Sequence, residues 1–540
     1  MSKLDKLKTC STLGDVAALL GFKPKALSYL IYKQAPALRY RTFEIPKRSG
    51  GTRSIQAPYP ALMKIQRRLA SLLQDCEEEI HKVTGFHATQ SHGFTRNRSI
   101  MTNAAGHKNK RHVLNCDLEN FFGSINFGRI RGFFLKNKNY TLHPTVATTL
   151  AQIVCHNGQL PQGAPTSPVI SNLIAQSLDS RLSKLAKTHS CYYTRYADDI
   201  TFSTNLSSFP VKVASNDNLG ATIIGKSLRR TIIESGFLEN PKKTRLATKP
   251  LRQEVTGLVV NKKVATSAAY RRTTRAMTHS LITRGHFETE KKTKQPDGTI
   301  LETKAIGSLE CLQGRLGFIN LVSEYNKSNQ HAKHIKKTSP KPHHITADEI
   351  VYRNFLFYKT FYSPAIPLLL CEGKTDNTYI YYAIRRLFAQ FSSLGNLKKD
   401  GTFVSRVKFH KNTKTTHRIM GLDGGSSNLA SFIRNYGKWW DVNKHKCEHK
   451  AIVIIIDNDD GASAVRTAVK NVSGNEFPAS ASHCHITHNL YITQTPLTGA
   501  NKKSAIEDLF KPETLNETLN GKKFHPEVNR PGFSRQSSAV

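Results

Sequence analysis

The sequence predicts an α+β domain followed by a smaller α/β domain, and three observations carry that expectation. Up to about residue 325, long amphipathic stretches at helical spacing alternate with short runs rich in Tyr, Thr, Ile and Phe. Beyond about residue 363, unbroken aliphatic runs ending in acids alternate with helix-like stretches, the pattern of strands buried in a parallel sheet. Between the two lies "YNKSNQHAKHIKKTSPKPHHITAD" (Tyr325–Asp348), polar, basic and Pro-containing, which suits a linker. A chain of 540 residues also exceeds what one hydrophobic core usually serves.

Charge narrows the partner. The chain has 79 Lys+Arg against 39 Asp+Glu, a formal net charge of +40. Such a field repels itself unless a polyanion neutralises it, and nucleic acid is the commonest polyanion. A membrane surface is the rival, but no apolar run approaches the roughly 18–20 residues that span a bilayer. The start, "MSKLDKLKTC", lacks the apolar stretch of a secretory signal. The expectation is a soluble cytoplasmic protein with no membrane partner. Nine scattered cysteines without a C-x-x-C pair suit a reducing compartment. "HCHITH" (His483, Cys484, His485, His488) is the densest soft-ligand cluster, and its alternation reads as a strand rather than a zinc site.

In chain order, residues 1–45 read as small helices, including "LGDVAALLGF", ending at the extended "TFEIPK". "PALMKIQRRLASLLQDCEEEI" is a helix by its apolar spacing. "RHVLNCDLENFFGSINF" is a strand feeding a helix, and "SPVISNLIAQSLDSRLSKLAK", with Pro168 near its start, is another helix. "CYYTRYADDITFSTN" and "EVTGLVVNKKVATS" read as β-hairpins, and the basic "AAYRRTTRAMTHSLITRG" as a helix. After the linker come the strand "IPLLLCEGKTD", the helix-like "NTYIYYAIRRLFAQF", the turn "GLDGGSS", the helix-like "NLASFIRNYG" and the strand "AIVIIIDNDDGA". "EVNRPGFSRQSSAV" reads as a loose tail.

Two sets of acids stand at strand ends. Asp117 closes the apolar "VLNCD", while Asp198 and Asp199 occupy the "YADD" turn. A hairpin turn breaks the up–down alternation of a strand, so adjacent acids can face one small volume. Three convergent carboxylates make an oxygen-rich site suited to Mg²⁺, which leaves room for substrate phosphate. Two such ions support an in-line displacement at phosphorus. The second set is Glu372, just after "LLLC", with Asp457 and Asp459 at the end of "IVIII". Read alone, "DD" is a solvated turn and "EG" a simple loop; strand ends and aliphatic flanks favour metal.

"YADD", after "DLENFF" and "LPQGAPTSP", resembles the palm of reverse transcriptases, and "GGTRSIQAP", "SHGFTRNRSI" and "NPKKTRL" match surrounding blocks of that family. The resemblance implies a right hand of fingers, palm and thumb over residues 46–325, behind an N-terminal helical extension (1–45). It implies catalytic, metal-holding roles for Asp117, Asp198 and Asp199, and substrate contacts by Arg53, Arg96, Phe122, Gln162 and Lys243. Arg53 and Arg96 would meet the triphosphate of an incoming dNTP, Gln162 would line its pocket, and Phe122 would reject a 2′-hydroxyl. "NAAGH" (Asn103–His107) and "VTG" (Val255–Gly257) resemble signatures of retron reverse transcriptases. That implies a cognate noncoding RNA (msr–msd) as partner and branched RNA-linked single-stranded DNA (msDNA) as product. RNA contacts would fall on Asn103, His107, Val255, Thr256, Gly257, Arg271 and Arg272, the last two on a thumb helix.

The second acid set resembles the TOPRIM fold, which implies a Mg²⁺-dependent nuclease domain over residues 363–525, behind a basic linker (326–362) and before a tail (526–540). Glu372 would be acid–base or metal ligand, and Asp457 and Asp459 metal ligands, with Lys374, Asp376, Asp460, Glu507 or Asp508 nearby. A retron polymerase fused to such a domain resembles the bacterial antiphage class in which the nuclease is the toxin, of unspecified nucleic-acid substrate and possible homo-oligomeric state. That class also implies more C-terminal sequence than follows "GKKFHPE". The rivals are a mobile-intron or diversity-generating reverse transcriptase, disfavoured by "VTG" and the TOPRIM-like end, and a non-catalytic RNA-binding scaffold, disfavoured because unpaired buried carboxylates are costly.

Overall fold

A computed structural model describes the chain except residues 48–50, 85–89, 219, 295–299, 332–344, 374, 498–502, 512, 515–517, 520–521 and 524–540. Lys374, much of the expected linker and the expected tail therefore lie outside the described residues. The chain divides into two compact units: Met1–Ser267 with Val322–His334, and Ala268–Leu321 with Ile335–Val540. This differs from the expected boundary at 325. The basic helix Ala268–Arg284, expected as thumb, buries Leu281 and Ile282 in the same core as the C-terminal sheet. Among the described residues no helix is long and apolar enough to cross a membrane.

The first unit is built around a four-stranded antiparallel sheet, in the spatial order Tyr192–Tyr196, Asp199–Thr204, His112–Leu118, Glu239–Thr248. Three long elements expected from the sequence are present: helices Pro60–Thr84 and Ser167–Thr188, and the central strand His112–Leu118. Alternate strand residues such as Leu114 and Cys116 are buried in one core with Leu173 and Leu178 of the second helix. A separate antiparallel pair, Tyr40–Pro46 with Thr52–Pro58, carries Arg53.

The hairpin that holds "YADD" turns in two residues, since Tyr196 pairs with Asp199. Ala197 in that turn has φ of 56°, a left-handed backbone that costs a residue with a Cβ. The surroundings hold it there. Arg195 is fully buried and paired with Asp179, Nε and Nη2 donating at 2.8 and 2.7 Å, while its Nη1 donates to the Ala197 carbonyl at 2.9 Å. Gly93 lies beneath the turn, where a Cβ would stand 2.6 Å from the Ala197 nitrogen. Breaking a buried ion pair by removing one partner costs about 3–5 kcal/mol. Arg195→Met is accordingly expected to destabilise the hairpin by that order, read as lost amide-exchange protection over residues 192–204. Unchanged protection would refute the clamp.

"NAAGH" is structural. Asn103 lies on the helix Ile100–Gly106 and His107 caps the end of that helix, and both are fully buried. The His107 nitrogens meet the Ser203 and Thr194 hydroxyls, each at 2.7 Å, and the Thr194 hydroxyl donates to Asn103 Oδ1 at 2.6 Å. Burial lowers the His107 pKa to about 3, so it is neutral. The expected RNA contacts of Asn103 and His107 are thereby corrected: side chains sealed against the four-stranded sheet cannot reach a ligand. "VTG" forms the tight turn between strands Glu254–Val255 and Leu258–Val259, with φ of 48° at Thr256 and 79° at Gly257. Val255 is fully buried, and the Thr256 hydroxyl donates to the Ile100 carbonyl at 3.4 Å, so the turn meets the first residue of the helix that carries "NAAGH".

The second unit holds a five-stranded sheet in the order Lys408–Phe409, Leu368–Cys371, Ile452–Ile456, Leu490–Gln494, His483–Thr487, the first four parallel and the last antiparallel at the edge. Helices Asp376–Leu387, Ser426–Trp440 and Ser463–Ser473 connect these strands. "HCHITH" is indeed a strand and its turn. The hairpin strands Glu288–Lys294 and Ile300–Ile306 have no counterpart in the sequence reading.

Candidate active site

The central register sets the first group of acids. Asp117 lies directly opposite Asp199 across the antiparallel ladder, and Asp198 occupies the adjoining turn, its carbonyl accepting from the Leu118 amide at 3.0 Å. Like charges facing each other across a ladder repel. The electrostatics show it: Asp199 is raised to about 7 by burial first, then by Asp198 and Asp117. Asp198 is raised by burial and by Asp117. The Asp199 residue itself is exposed, so solvent moderates the shift, whereas Asp117 is 5% exposed.

Two recesses adjoin these acids. One, of about 1320 Å³, is lined by Arg53, Phe122, Gln162, Asp117, Asp198 and Lys243. The other, of about 580 Å³, shares Arg53, Phe122, Gln162 and Asp198 and adds Asp199 and Phe94. The Gln56 amide donates to the Gln162 carbonyl at 2.8 Å, which ties the "LPQG" loop to the Arg53 strand. Arg53, Phe122, Gln162, Lys243 and the three acids are therefore brought together. Arg96 is not. It is bound to Asp75 at 2.7 Å and Glu78 at 3.0 Å on the helix Pro60–Thr84 and lines neither recess, which corrects its expected place at the triphosphate. Arg271 and Arg272 stand on the basic helix of the other unit.

Lys243 was expected at the substrate and is found on an acid. Its ammonium donates to both Asp117 oxygens, at 3.0 and 2.9 Å. Partial burial works against the charged form, but the Asp117 bond and the three acids outweigh it and raise the Lys243 pKa. Among the described residues no group of three or more His, Cys, Asp and Glu side chains is closed into metal-binding geometry. The donor set still fits Mg²⁺, which is usually held by one or two carboxylates plus substrate phosphates. Sequence reasoning missed Asp179, Arg195 and Gly93, which hold the turn; Arg195 had a signal, a cation inside an otherwise hydrophobic strand.

In the second unit, Glu372 follows its strand and extends the parallel ladder, its amide donating to the Ile455 carbonyl at 3.0 Å. The Ser426 hydroxyl donates to Glu372 Oε1 at 2.6 Å, while Oε2 is buried with no partner among the described residues. Asp457 accepts from the Ile506 amide at 3.0 Å and is raised to about 6 by burial, then by Asp376, Glu372 and Glu507. These four acids share one field at the carboxyl ends of parallel strands, where α/β sheets bind ligands. Asp376 accepts from the Gly373 amide at 2.7 Å. Asp459 is exposed at the start of a short turn, Asp460 pairs with Lys503 at 2.6 Å, and Asp508 accepts from the Ala505 amide, while the charge of Glu507 adds to the field on Asp457. The orphaned Glu372 oxygen and this charge set are compatible with Mg²⁺.

The raised acids fix a pH dependence. A carboxyl with a folded pKa above its unfolded value favours the unfolded chain increasingly as pH rises between the two. Asp199 therefore weakens the metal-free fold as pH climbs from about 4, the unperturbed value, to about 7, and Asp457 does so up to about 6. Mg²⁺ requires the ionised forms, so its gain in melting temperature over EDTA is expected to be larger at pH 8 than at pH 5. Equal gains would refute it.

Residues 45–271 match the reverse transcriptase (RNA-dependent DNA polymerase) family. The retron Mx65 reverse transcriptase of Myxococcus xanthus is 37% identical over 283 residues, covering 49% of this chain and 62% of that protein. The retron Mx162 reverse transcriptase of the same organism is 35% identical over 263 residues, covering 46% and 52%. The chain thus spans only about half to three-fifths of the length of these curated relatives. Telomerase from Candida albicans with a fragment of telomeric RNA aligns over 77% of this chain and 66% of its own at 10% identity and a TM-score of 0.35, too loose a likeness to bear on the fold. The stretch that carries Asp117, Asp198 and Asp199 is thus similar to reverse transcriptases, those of retrons among them.

Proposed function

We propose that the chain is a retron RNA-directed DNA polymerase that makes branched, RNA-linked single-stranded DNA on a cognate noncoding RNA, and that its second unit is a TOPRIM-type, Mg²⁺-dependent nuclease acting as the toxin of an antiphage system. The observation that carries the polymerase reading is the register that sets Asp117 against Asp199, beside a recess lined by Arg53, Phe122 and Gln162. Bound Mg²⁺ supplies the chemistry of lowering the pKa of a primer hydroxyl and neutralising charge on the leaving pyrophosphate. Asp117, Asp198 and Asp199 would hold it. Arg53, exposed on the edge of the recess, offers a fork of donors matched to phosphate oxygens. The Phe122 ring, 6.3 Å from the Phe94 ring, narrows the same recess and would stand against a ribose 2′-hydroxyl.

RNA recognition falls to exposed groups. Gly257 lies at the exposed tip of its turn, and Arg272 on the exposed face of the basic helix, both accessible to phosphates and 2′-hydroxyls. The nuclease reading rests on Glu372, Asp376, Asp457 and Glu507 sharing one field at the sheet's carboxyl end. The experiment is to mix the purified chain with the RNA encoded beside its gene, dNTPs and Mg²⁺. DNA covalently joined to RNA is the expected product. RNA binding without any synthesis would leave the scaffold reading, and unbranched DNA would favour a reverse transcriptase of another type.

A further inference from the structure

We propose that Lys243 is a stand-in cation for the palm: in the free protein its ammonium occupies the place on Asp117 that a divalent ion takes, and metal entry displaces it. This rests on the metal-dependent polymerase reading of the palm and adds to it a gate on metal binding.

Three observations carry the inference. The contact is bidentate, 3.0 and 2.9 Å to the two oxygens of a nearly buried carboxylate, with Asn240 Nδ2 a further donor at 3.4 Å. Both oxygens of Asp117 are thus turned onto Lys243, and the three palm acids do not close into a cage. The backbone is also shaped for it. Along the ladder Asn115 pairs with Arg245 but Asp117 pairs with Asn240, so the Lys243 strand carries extra residues between these points, as at a bulge. Bulges beside active sites re-aim a side chain, and Pro241, which lacks an amide to donate, suits one. Finally, the Lys243 side chain is 55% exposed on a flexible stem, so leaving Asp117 opens no cavity.

The physical consequence is competition. Facing acids need a positive charge between them, and Lys243 supplies it until a metal does. An ion entering the palm must first break two charge-assisted bonds, which weakens its apparent affinity. The displaced ammonium is then free to swing into the recess that it and Arg53 both line, where a triphosphate would receive it. Nucleotide and metal would consequently assist one another's binding, with reciprocal coupling.

The test uses the full chain without nucleic acid or nucleotide and Mn²⁺ as a spin probe, counting free ion by electron paramagnetic resonance. Binding that disappears in Asp117→Asn identifies the palm. Lys243→Met is expected to tighten that binding about tenfold or more, in keeping with removal of a neighbouring unit charge, and Lys243→Arg to leave it near wild type. Lys243→Gln replaces Lys243→Met if the latter melts early. Independently, Mg²⁺ should raise the reactivity of Lys243 toward an amine-acylating reagent, read by peptide mass spectrometry, and should not do so in Asp117→Asn. Unchanged or weaker Mn²⁺ binding in Lys243→Met overturns the proposal while leaving the polymerase reading intact if the wild-type chain still extends primers. No Asp117-dependent Mn²⁺ binding in any variant overturns both.

Discussion

Asp198→Asn and Asp199→Asn are each expected to abolish DNA synthesis on the cognate RNA, with rate losses on the order of 10³-fold or more. Charge stabilisation by metal is worth several kcal/mol, and each 1.36 kcal/mol is tenfold. The variants should fold. Each removes one of three mutually repelling carboxylates without changing volume, and the turn's fixed points, Arg195 on the Ala197 carbonyl and Gly93 beneath it, are untouched. Asp199→Asn should also flatten the pH dependence of metal-free stability, because the group titrating at about 7 is gone. The checks are primer extension and thermal melting across pH. Residual synthesis within tenfold of wild type would show that these acids do not hold the metal.

Glu372→Gln carries the second large effect. Glutamine keeps the shape and can still accept from Ser426, so only the charge is lost. Mg²⁺-dependent nucleic-acid cleavage by the full chain should fall by about 10³-fold on the same reasoning, while DNA synthesis by the palm continues. In cells, growth arrest on expression without the RNA partner should disappear. Arrest that persists in Glu372→Gln would count against nuclease action at this site.

Much of the site was legible because its signals are local. Asp117 ends an apolar strand, "YADD" sits between two aromatic runs, and Glu372 and Asp457 each close an aliphatic run; strand ends and turns can be read from neighbours a few residues away. What was not legible depends on partners far along the chain. Arg96 lies beside Phe94 and Asn97 in sequence, yet Asp75 and Glu78 of another helix claim its guanidinium. Asn103 and His107 look like polar groups awaiting a ligand until Thr194 and Ser203 are found facing them. Lys243 reads from its block "NPKKTRL" as a substrate contact, and its bond to Asp117 shows only in the pairing of its strand, which shifts register beside that acid. The unit boundary was misplaced for a similar reason. Helix Ala268–Arg284 is rich in basic residues, and its apolar residues Leu281 and Ile282, with Met277 packed beside them, decide which core it joins.

The bond from Thr256 to the Ile100 carbonyl has a consequence for anyone who recombines this protein with a relative. Segments more than 150 residues apart along the chain are matched to one another like a key and its ward. A chimera cut anywhere between them inherits a turn from one parent and its seat from the other. Crossovers placed outside both segments should yield folded hybrids far more often than crossovers placed between them.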